Sequence, residues 1–270
     1  MLKLSNMKKV FQPGTPNEHT AFRDISLHLK EGEFVTVIGS NGAGKSSLFN
    51  AISGNFLIDD GKIVLSGKDI TYQKEHIRAR NIGRLFQDPK TGTVPNLSIE
   101  ENLALVYSKA THRFPLSFAL KNSDRAYFME LLSKLDMGLE YRMKTKIGLL
   151  SGGQRQALTL LLATMVPPKL LLLDEHTAAL DPIMAQRVME LTTEITEQNT
   201  ITTLMITHNI QSALSTGTRT IMMDNGRIVM DISGEERKAL SVSELLTRYR
   251  EIMKKELDND RILLSGEEVS

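Results

Sequence analysis

Phe34-Val-Thr-Val-Ile-Gly39-Ser40-Asn41-Gly42-Ala43-Gly44-Lys45-Ser46-Ser47 is the stretch that decides the fold. A short β-branched run ends at Gly39, and the next residues spell Gly-x-x-x-x-Gly-Lys-Ser. Ser46 to Ser53 then reads as a helix, with Gly54 placed to end it. Gly39, Gly42 and Gly44 let the backbone curl, so that the N–H groups of Ser40, Asn41, Ala43 and their neighbours point inward as a nest for phosphate oxygens. The helix that follows aims its positive end at the same place. Lys45 reaches terminal phosphates as a point charge, Ser46 offers a hydroxyl to Mg²⁺, and Ser47 reaches a phosphate oxygen. A plain glycine turn needs neither the preceding strand nor the Lys–Ser pair.

A second stretch completes the chemistry. Leu170-Leu-Leu-Leu-Asp174-Glu175 is an apolar strand of the kind buried on both faces of a parallel sheet, and it delivers two carboxylates to one edge. Beside a phosphate loop, Asp174 is suited to orient a Mg²⁺ shell and Glu175 to polarise an attacking water.

Around these stretches, strands and helices alternate. Strands are expected at Leu2–Val10, Ile25–Leu29, Ile63–Leu65, Ile82–Phe86 and Thr203–Ile206, with a polar loop over Gln12–His19. Helices are expected over Ala126–Leu135 and Ile183–Thr196. Thr220–Met223 and Arg227–Met230 form a strand pair around Asn225-Gly226, a strong hairpin signal. This alternation argues an α/β fold with a mainly parallel sheet. From about residue 235 the chain is charged. Ser241-x-x-Glu244 is a candidate capping box, and Val242, Leu245, Leu246, Tyr249 and Met253 share one helical stripe that packs on the domain or on a partner.

Composition narrows the class. The 270 residues carry 33 basic and 32 acidic side chains, so there is no basic excess of the kind that tracks nucleic acid. With no cysteine, disulfides, cysteine–zinc sites and thiol nucleophiles are excluded. Met1–Val10 has no apolar core of a signal peptide. Ala157–Leu173 is greasy enough to suggest a membrane span, but Pro167-Pro168-Lys169 breaks it, and a buried helix, a turn and a buried strand is the better reading.

Leu150-Ser151-Gly152-Gly153-Gln154 stands between the two halves of the site. Two glycines and a serine at a helix start make a second anion-binding terminus on one chain. With this motif in that position, residues 2–232 resemble the ATP-binding subunit of a bacterial ABC transporter. The resemblance implies a P-loop NTPase core, an N-terminal antiparallel β subdomain and an inserted α-helical subdomain at about 90–155. The cassette would span 1–234, with a partly helical extension over 235–270. It implies ATP and Mg²⁺ as cofactors, with Ser151, Gly152, Gly153, Gln154 and Asp181 of one copy closing over ATP held by the other. Gln87 resembles the loop glutamine that senses Mg²⁺ and the attacking water, and His208 the switch histidine on the γ-phosphate. Phe11 resembles the aromatic that stacks on adenine, a position more often tyrosine, and packing is its alternative role. His176 stands where the family often has proline.

The implied partners are a second copy and an integral-membrane permease that meets a groove near Gln87–Asn102. In an importer, an extracellular substrate-binding protein joins them. The implied place is the cytoplasmic side of the membrane. The polar loop Val10–His19 resembles a subgroup beside amino-acid importers. An exporter, a DNA-repair or translation ATPase, and a small-molecule kinase are the competing readings. Only 106 residues lie between Gly44 and Ser151, without sustained heptads, which disfavours the coiled-coil DNA-repair type. A kinase has no use for the Ser151–Gln154 motif.

Overall fold

The computed structural model describes residues 1–88, 90–111 and 120–265, the last two stretches without the side chains of 109–111 and 255–265. In chain order the elements begin β1 (Leu2–Phe11), β2 (His19–Leu29), β3 (Phe34–Gly39), α1 (Lys45–Ser53), β4 (Asp60–Leu65), β5 (Lys68–Asp69), α2 (Glu75–Arg78), β6 (Ile82–Leu85), α3 (Ile99–Thr111) and α4 (Asn122–Ser133). They continue α5 (Gly152–Thr164), β7 (Leu170–Asp174), α6 (Pro182–Gln198), β8 (Thr202–Ile206), α7 (Ile210–Ser215), β9 (Arg219–Asp224), β10 (Arg227–Ser233), α8 (Gly234–Ala239) and α9 (Val242–Ser265).

Two sheets result. A four-stranded antiparallel sheet runs β2-β1-β4-β5, and a six-stranded sheet runs β10-β9-β3-β8-β7-β6. Within the second, every neighbouring pair is parallel except β9 with β10. The antiparallel pair turns at Asn225 (φ 43) and Gly226 (φ 71), the two positive angles that a type I′ hairpin requires.

Strand β7 shows why the larger sheet is a middle layer. Leu170 and Leu172 pack into one cluster with α1 and the antiparallel sheet. Leu171 and Leu173 pack into the other with α3, α4, α5 and α6. All four are fully buried, and each contributes roughly 2 kcal/mol of apolar burial. A third cluster joins Ile38 and Met222 to Ala213 of α7, to Leu240 at the end of α8 and to Leu245 of α9, with Tyr249 against it. Leu245 and Tyr249 of the expected stripe therefore pack on this chain's own domain, and Ser241 and Glu244 form the expected box (Glu244 N to Ser241 Oγ 3.2 Å). Residues 266–270 of the expected extension, 112–119 of the helical insertion and Pro89 lie outside the described residues.

Several expected limits shift. Strand β2 begins at His19 rather than near Ile25, directly after the polar loop, which lies where it was expected. Its pairing with β1 is interrupted by register shifts, which break the alternation that marks a strand in sequence. The greasy Ala157–Leu173 stretch divides into α5 and β7, and among the described residues no helix is long and apolar enough to cross a membrane.

Two buried arginines have carbonyl partners instead of carboxylates. Arg78, 2% exposed, donates to Ala51 O (2.7 Å), Ile52 O (2.9 Å), Thr71 O (2.8 Å) and Gln73 O (2.9 Å). The first two belong to the last turn of α1, where carbonyls have no intrahelical donor and the helix dipole is negative. Arg237 does the same for the end of α7, donating to Ala213 O (2.7 Å), Thr216 O and Gly217 O (2.9 Å). Replacing Arg78 by alanine strands four carbonyls and leaves a cavity. Arg78→Ala should lower stability by about 3 kcal/mol in urea denaturation, with Arg78→Lys losing less.

Candidate functional site

The phosphate loop is held from behind. Gly39 pairs with Met223 in the sheet register, and a Cβ there would stand 2.2 Å from Met223 O. Gly44 takes φ +97, and a Cβ on it would stand 2.9 Å from Ala21 O. Gly226 N donates to Ala43 O (3.2 Å), so the hairpin turn also fastens the loop. Only glycine satisfies both the left-handed angle and the close approach at Gly44.

Helix α1 begins at Lys45 with Gly44 as its N-cap, no side-chain cap and no acidic residue in its first turn. Its leading N–H groups are therefore left for an anion. Lys45 is buried, and its Nζ donates to Gly39 O and Ser40 O, each at 2.8 Å. Burial pushes its ammonium below the usual lysine range, while Glu175 and Asp174 pull it back up. Ser46 is exposed and Ser47 half-buried at the same helix start.

The parallel register brings the other groups to this edge. Leu85 pairs with Leu173, and Asp174 with Ile206, so Gln87, Glu175 and His208 follow the ends of adjacent strands β6, β7 and β8. His208 Nε2 lies 2.6 Å from Glu175 Oε1. Glu175 is a non-glycine residue at φ 48, held there by Glu175 N to Ile206 O (3.1 Å) and Ala178 N to Glu175 O (3.0 Å). A strained backbone at this position turns the carboxylate toward His208 instead of along the strand. Gln87 is exposed beyond β6.

The second anion terminus is built differently. Ser151 caps α5: its Oγ accepts from Gln154 N (3.3 Å), and Gln154 Oε1 accepts from Ser151 N (3.3 Å). Arg155 Nη2 donates to Gly148 O (3.0 Å) and steadies the turn before it. Gly153 lies against α6, where a Cβ would meet Met184 Cε at 2.4 Å, and Gly152 faces Leu180. Asp181 caps α6, accepting from Met184 N (3.1 Å), with Pro182 in the first turn. Helices α1 and α5 pack on opposite faces of the larger sheet.

Phe11 ends β1 and packs edge-on against Phe56 (centroids 5.0 Å), with Lys9 Nζ 5.3 Å from its ring. The packing role weighed for it in the sequence is thus present.

Three residues near the site make contacts that had no sequence signal. Arg84 pairs with Asp174 (3.2 Å). Asp224, buried, accepts from Ser40 Oγ of the phosphate loop (3.0 Å) and from Tyr249 Oη of α9 (3.1 Å). Arg237 grips α7, which starts two residues after His208.

The family profile described as ABC transporter matches residues 22–178. The chain belongs to the ABC transporter family. It is an ATP-binding cassette of the kind that hydrolyses ATP for a transporter. The cassette is 41% identical to the tyrosine transport ATP-binding protein of Clostridioides difficile, over 92% of this chain and 98% of that one. It is 34% identical to a phosphonates import ATP-binding protein of a Nostoc species, over 80% of this chain and 87% of that one. Among solved structures, a dimeric bacterial ABC transporter cassette superposes with TM-score 0.72 at 27% identity, over 86% of this chain and 98% of that one. A dimeric post-hydrolysis cassette bound to ADP and Pi gives TM-score 0.71 at 28% identity, with the same coverage.

His176, next to Glu175, is buried, and its Nε2 lies 3.1 Å from Thr192 Oγ1. The Thr192 hydroxyl donates to Val188 O (2.7 Å), so the histidine Nε2–H is the donor to it. Burial lowers its pKa from 6.5 to about 4. The unfolded chain then binds a proton below about 6.5 that the folded chain refuses until about 4, so stability falls across that window as pH drops. At pH 5 the loss should be about 2 kcal/mol relative to pH 7 in urea denaturation. His176→Gln should flatten that part of the profile.

Proposed function

We propose that this cassette is the ATPase of an importer for a small solute of the amino-acid type. It works as a head-to-tail homodimer on the cytoplasmic face of the membrane, beneath a separate permease fed by an extracellular substrate-binding protein. The observation that carries the ATPase mechanism is the Glu175–His208 pair at the edge where Lys45 lies buried. The importer reading is supported by the likeness to the tyrosine transport subunit over almost the whole length of both chains. The homodimer is supported by the packing of α1 and α5 on opposite faces of the sheet and by the dimeric relative. No helix among the described residues is long and apolar enough to cross a membrane.

In this reading, the N–H groups of Gly39–Ser47 and the Lys45 ammonium hold the phosphates of ATP. Glu175 accepts the proton of a water that attacks the γ-phosphorus. The bond to the bridging oxygen breaks, leaving ADP and phosphate, and His208 steadies the charge on the phosphoryl oxygens. Ser151–Gln154 and Asp181 of the second copy close the site, and Phe11 lies at the adenine end. Positioning and electrostatics supply most of such catalysis.

The donor set suits Mg²⁺. Ser46 hydroxyl, Asp174 carboxylate and Gln87 amide are hard oxygens, and no group of three acidic, histidine or cysteine side chains that could hold a metal occurs among the described residues. Mg²⁺ typically takes one or two carboxylates and completes its shell with water and substrate phosphates. When bound it would neutralise phosphate charge. We further assign 1–234 to the cassette and 235–270 to an extension, tied to it by Arg237 and Leu245.

Glu175→Gln should retain ATP binding, lose turnover by about 100-fold or more, and accumulate a closed dimer in gel filtration. Lys45→Ala should instead weaken ATP affinity about tenfold or more; normal turnover in the first or normal affinity in the second would overturn these roles. The importer reading is tested by purifying the cassette from membranes with its bound partner. Reconstituted with that permease and its binding protein, ATPase activity should rise with an aromatic amino acid, and no rise with any amino acid would overturn the assigned solute class.

A further inference from the structure

Arg84 lies on β6 opposite Leu172, one strand away from the acidic end of β7. Its side chain is only 11% exposed, yet it touches three separate parts of the site. Nη1 donates to Asn50 Oδ1 (2.8 Å) and Ser53 Oγ (3.1 Å), both on α1, the helix that grows out of the phosphate loop. Nη2 donates to Asp174 Oδ2 (3.2 Å). The guanidinium carbon lies 4.6 Å from the centre of the Phe86 ring, the residue just before Gln87. Its Nε is buried with no acceptor.

We propose that Arg84 is a positioning residue for the metal-binding carboxylate: it sets the plane of Asp174 and locks the Gln87 loop and α1 to it. This rests on the reading of Asp174 as a Mg²⁺ ligand. An aspartate at a strand end rotates freely about two side-chain bonds. A planar fork anchored elsewhere removes that freedom by engaging one oxygen, and Oδ1 of Asp174 takes no hydrogen bond among the described residues. Hydrogen-bonded partners behind a metal ligand commonly govern metal affinity by 10–100-fold. The two α1 contacts make the anchor rigid, because guanidinium geometry fixes Nη2 once Nη1 is bonded. The stacked Phe86 extends the same rigid unit to the glutamine loop. Lysine retains the charge but has no fork to span Asn50, Ser53 and Asp174 together.

The test is equilibrium ATP binding to the full-length cassette, first with EDTA and then over a Mg²⁺ titration. Arg84→Met should need about tenfold more Mg²⁺ to reach the half-point of the metal's effect on ATP affinity, with metal-free ATP affinity within about twofold of the parent. Arg84→Lys should recover part of the shift. Combining Arg84→Met with Asp174→Asn should add no further shift beyond Asp174→Asn alone, since both act through one carboxylate. An unchanged Mg²⁺ half-point in a folded Arg84→Met variant would reduce the residue to a structural ion pair. An equal loss of metal-free ATP affinity would overturn the proposal by placing its effect on the phosphate loop. If Arg84→Met fails to fold, Arg84→Lys decides by the same two measurements. Asp174→Asn alone leaving the half-point unmoved would instead sink the assignment of Asp174 as metal ligand, and this proposal with it.

Discussion

The parallel pairing of β3, β8, β7 and β6 is the constraint from which the site follows. Parallel strands run the same way, so their carboxyl ends share one edge, and whatever residue ends each strand is delivered there. Gly39, Asp174 and His208 are far apart in the chain and meet only because Val37 pairs with Ile206 and Asp174 with Ile206 on the two sides of β8. The register in turn depends on burial of both faces. A slip of one residue in β7 would exchange Leu170 and Leu172 for Leu171 and Leu173 between two packed layers. The acidic pair would slip with them.

Charge is handled locally, which explains how a nearly neutral chain holds a polyanion. Helix α1 presents an uncapped positive end to the phosphate loop, and its negative end is closed by the buried Arg78. Lys45 adds one full charge at the start of the same helix. Arg237 closes the C-terminal end of α7 in the same manner. Asp224 joins the phosphate loop to the C-terminal helix through Ser40 and Tyr249, so residues beyond the ATPase core share in holding the loop. The site is thus supported by buried cations on helix carbonyls.

Much of this was legible in the sequence where the signal is local. The Gly-x-x-x-x-Gly-Lys-Ser run, the apolar strand before Asp174-Glu175, Asn225-Gly226 and the Ser241–Glu244 box each need only a few neighbouring residues, and each formed as read. The Ser98–Glu101 box that opens α3 went unread, although it is the same kind of signal (Ser98 N to Glu101 Oε2 2.7 Å). Strand β2 was read short because its register shifts against β1 hide the period of two. Arg84, Arg78, Asp224 and Arg237 had no signature at all. Arg84 finds Asp174 across 90 residues, and Asp224 finds Ser40 across 184. A single arginine or aspartate has no period from which such a partner can be inferred.

The sequence by itself determined the kinds of groups present: glycines that permit a left-handed turn, a lysine and two carboxylates at strand and helix ends, and the order in which they occur. Those properties belong to single residues and short spans, where sterics and hydrogen bonding act along the chain. Only the tertiary structure decided that Glu175 faces His208, that Arg84 holds Asp174, and that α1 and α5 pack on opposite faces of the sheet. Those facts come from sheet register and layer packing. Both are set by apolar burial summed over the whole domain, a sum that no short span contains.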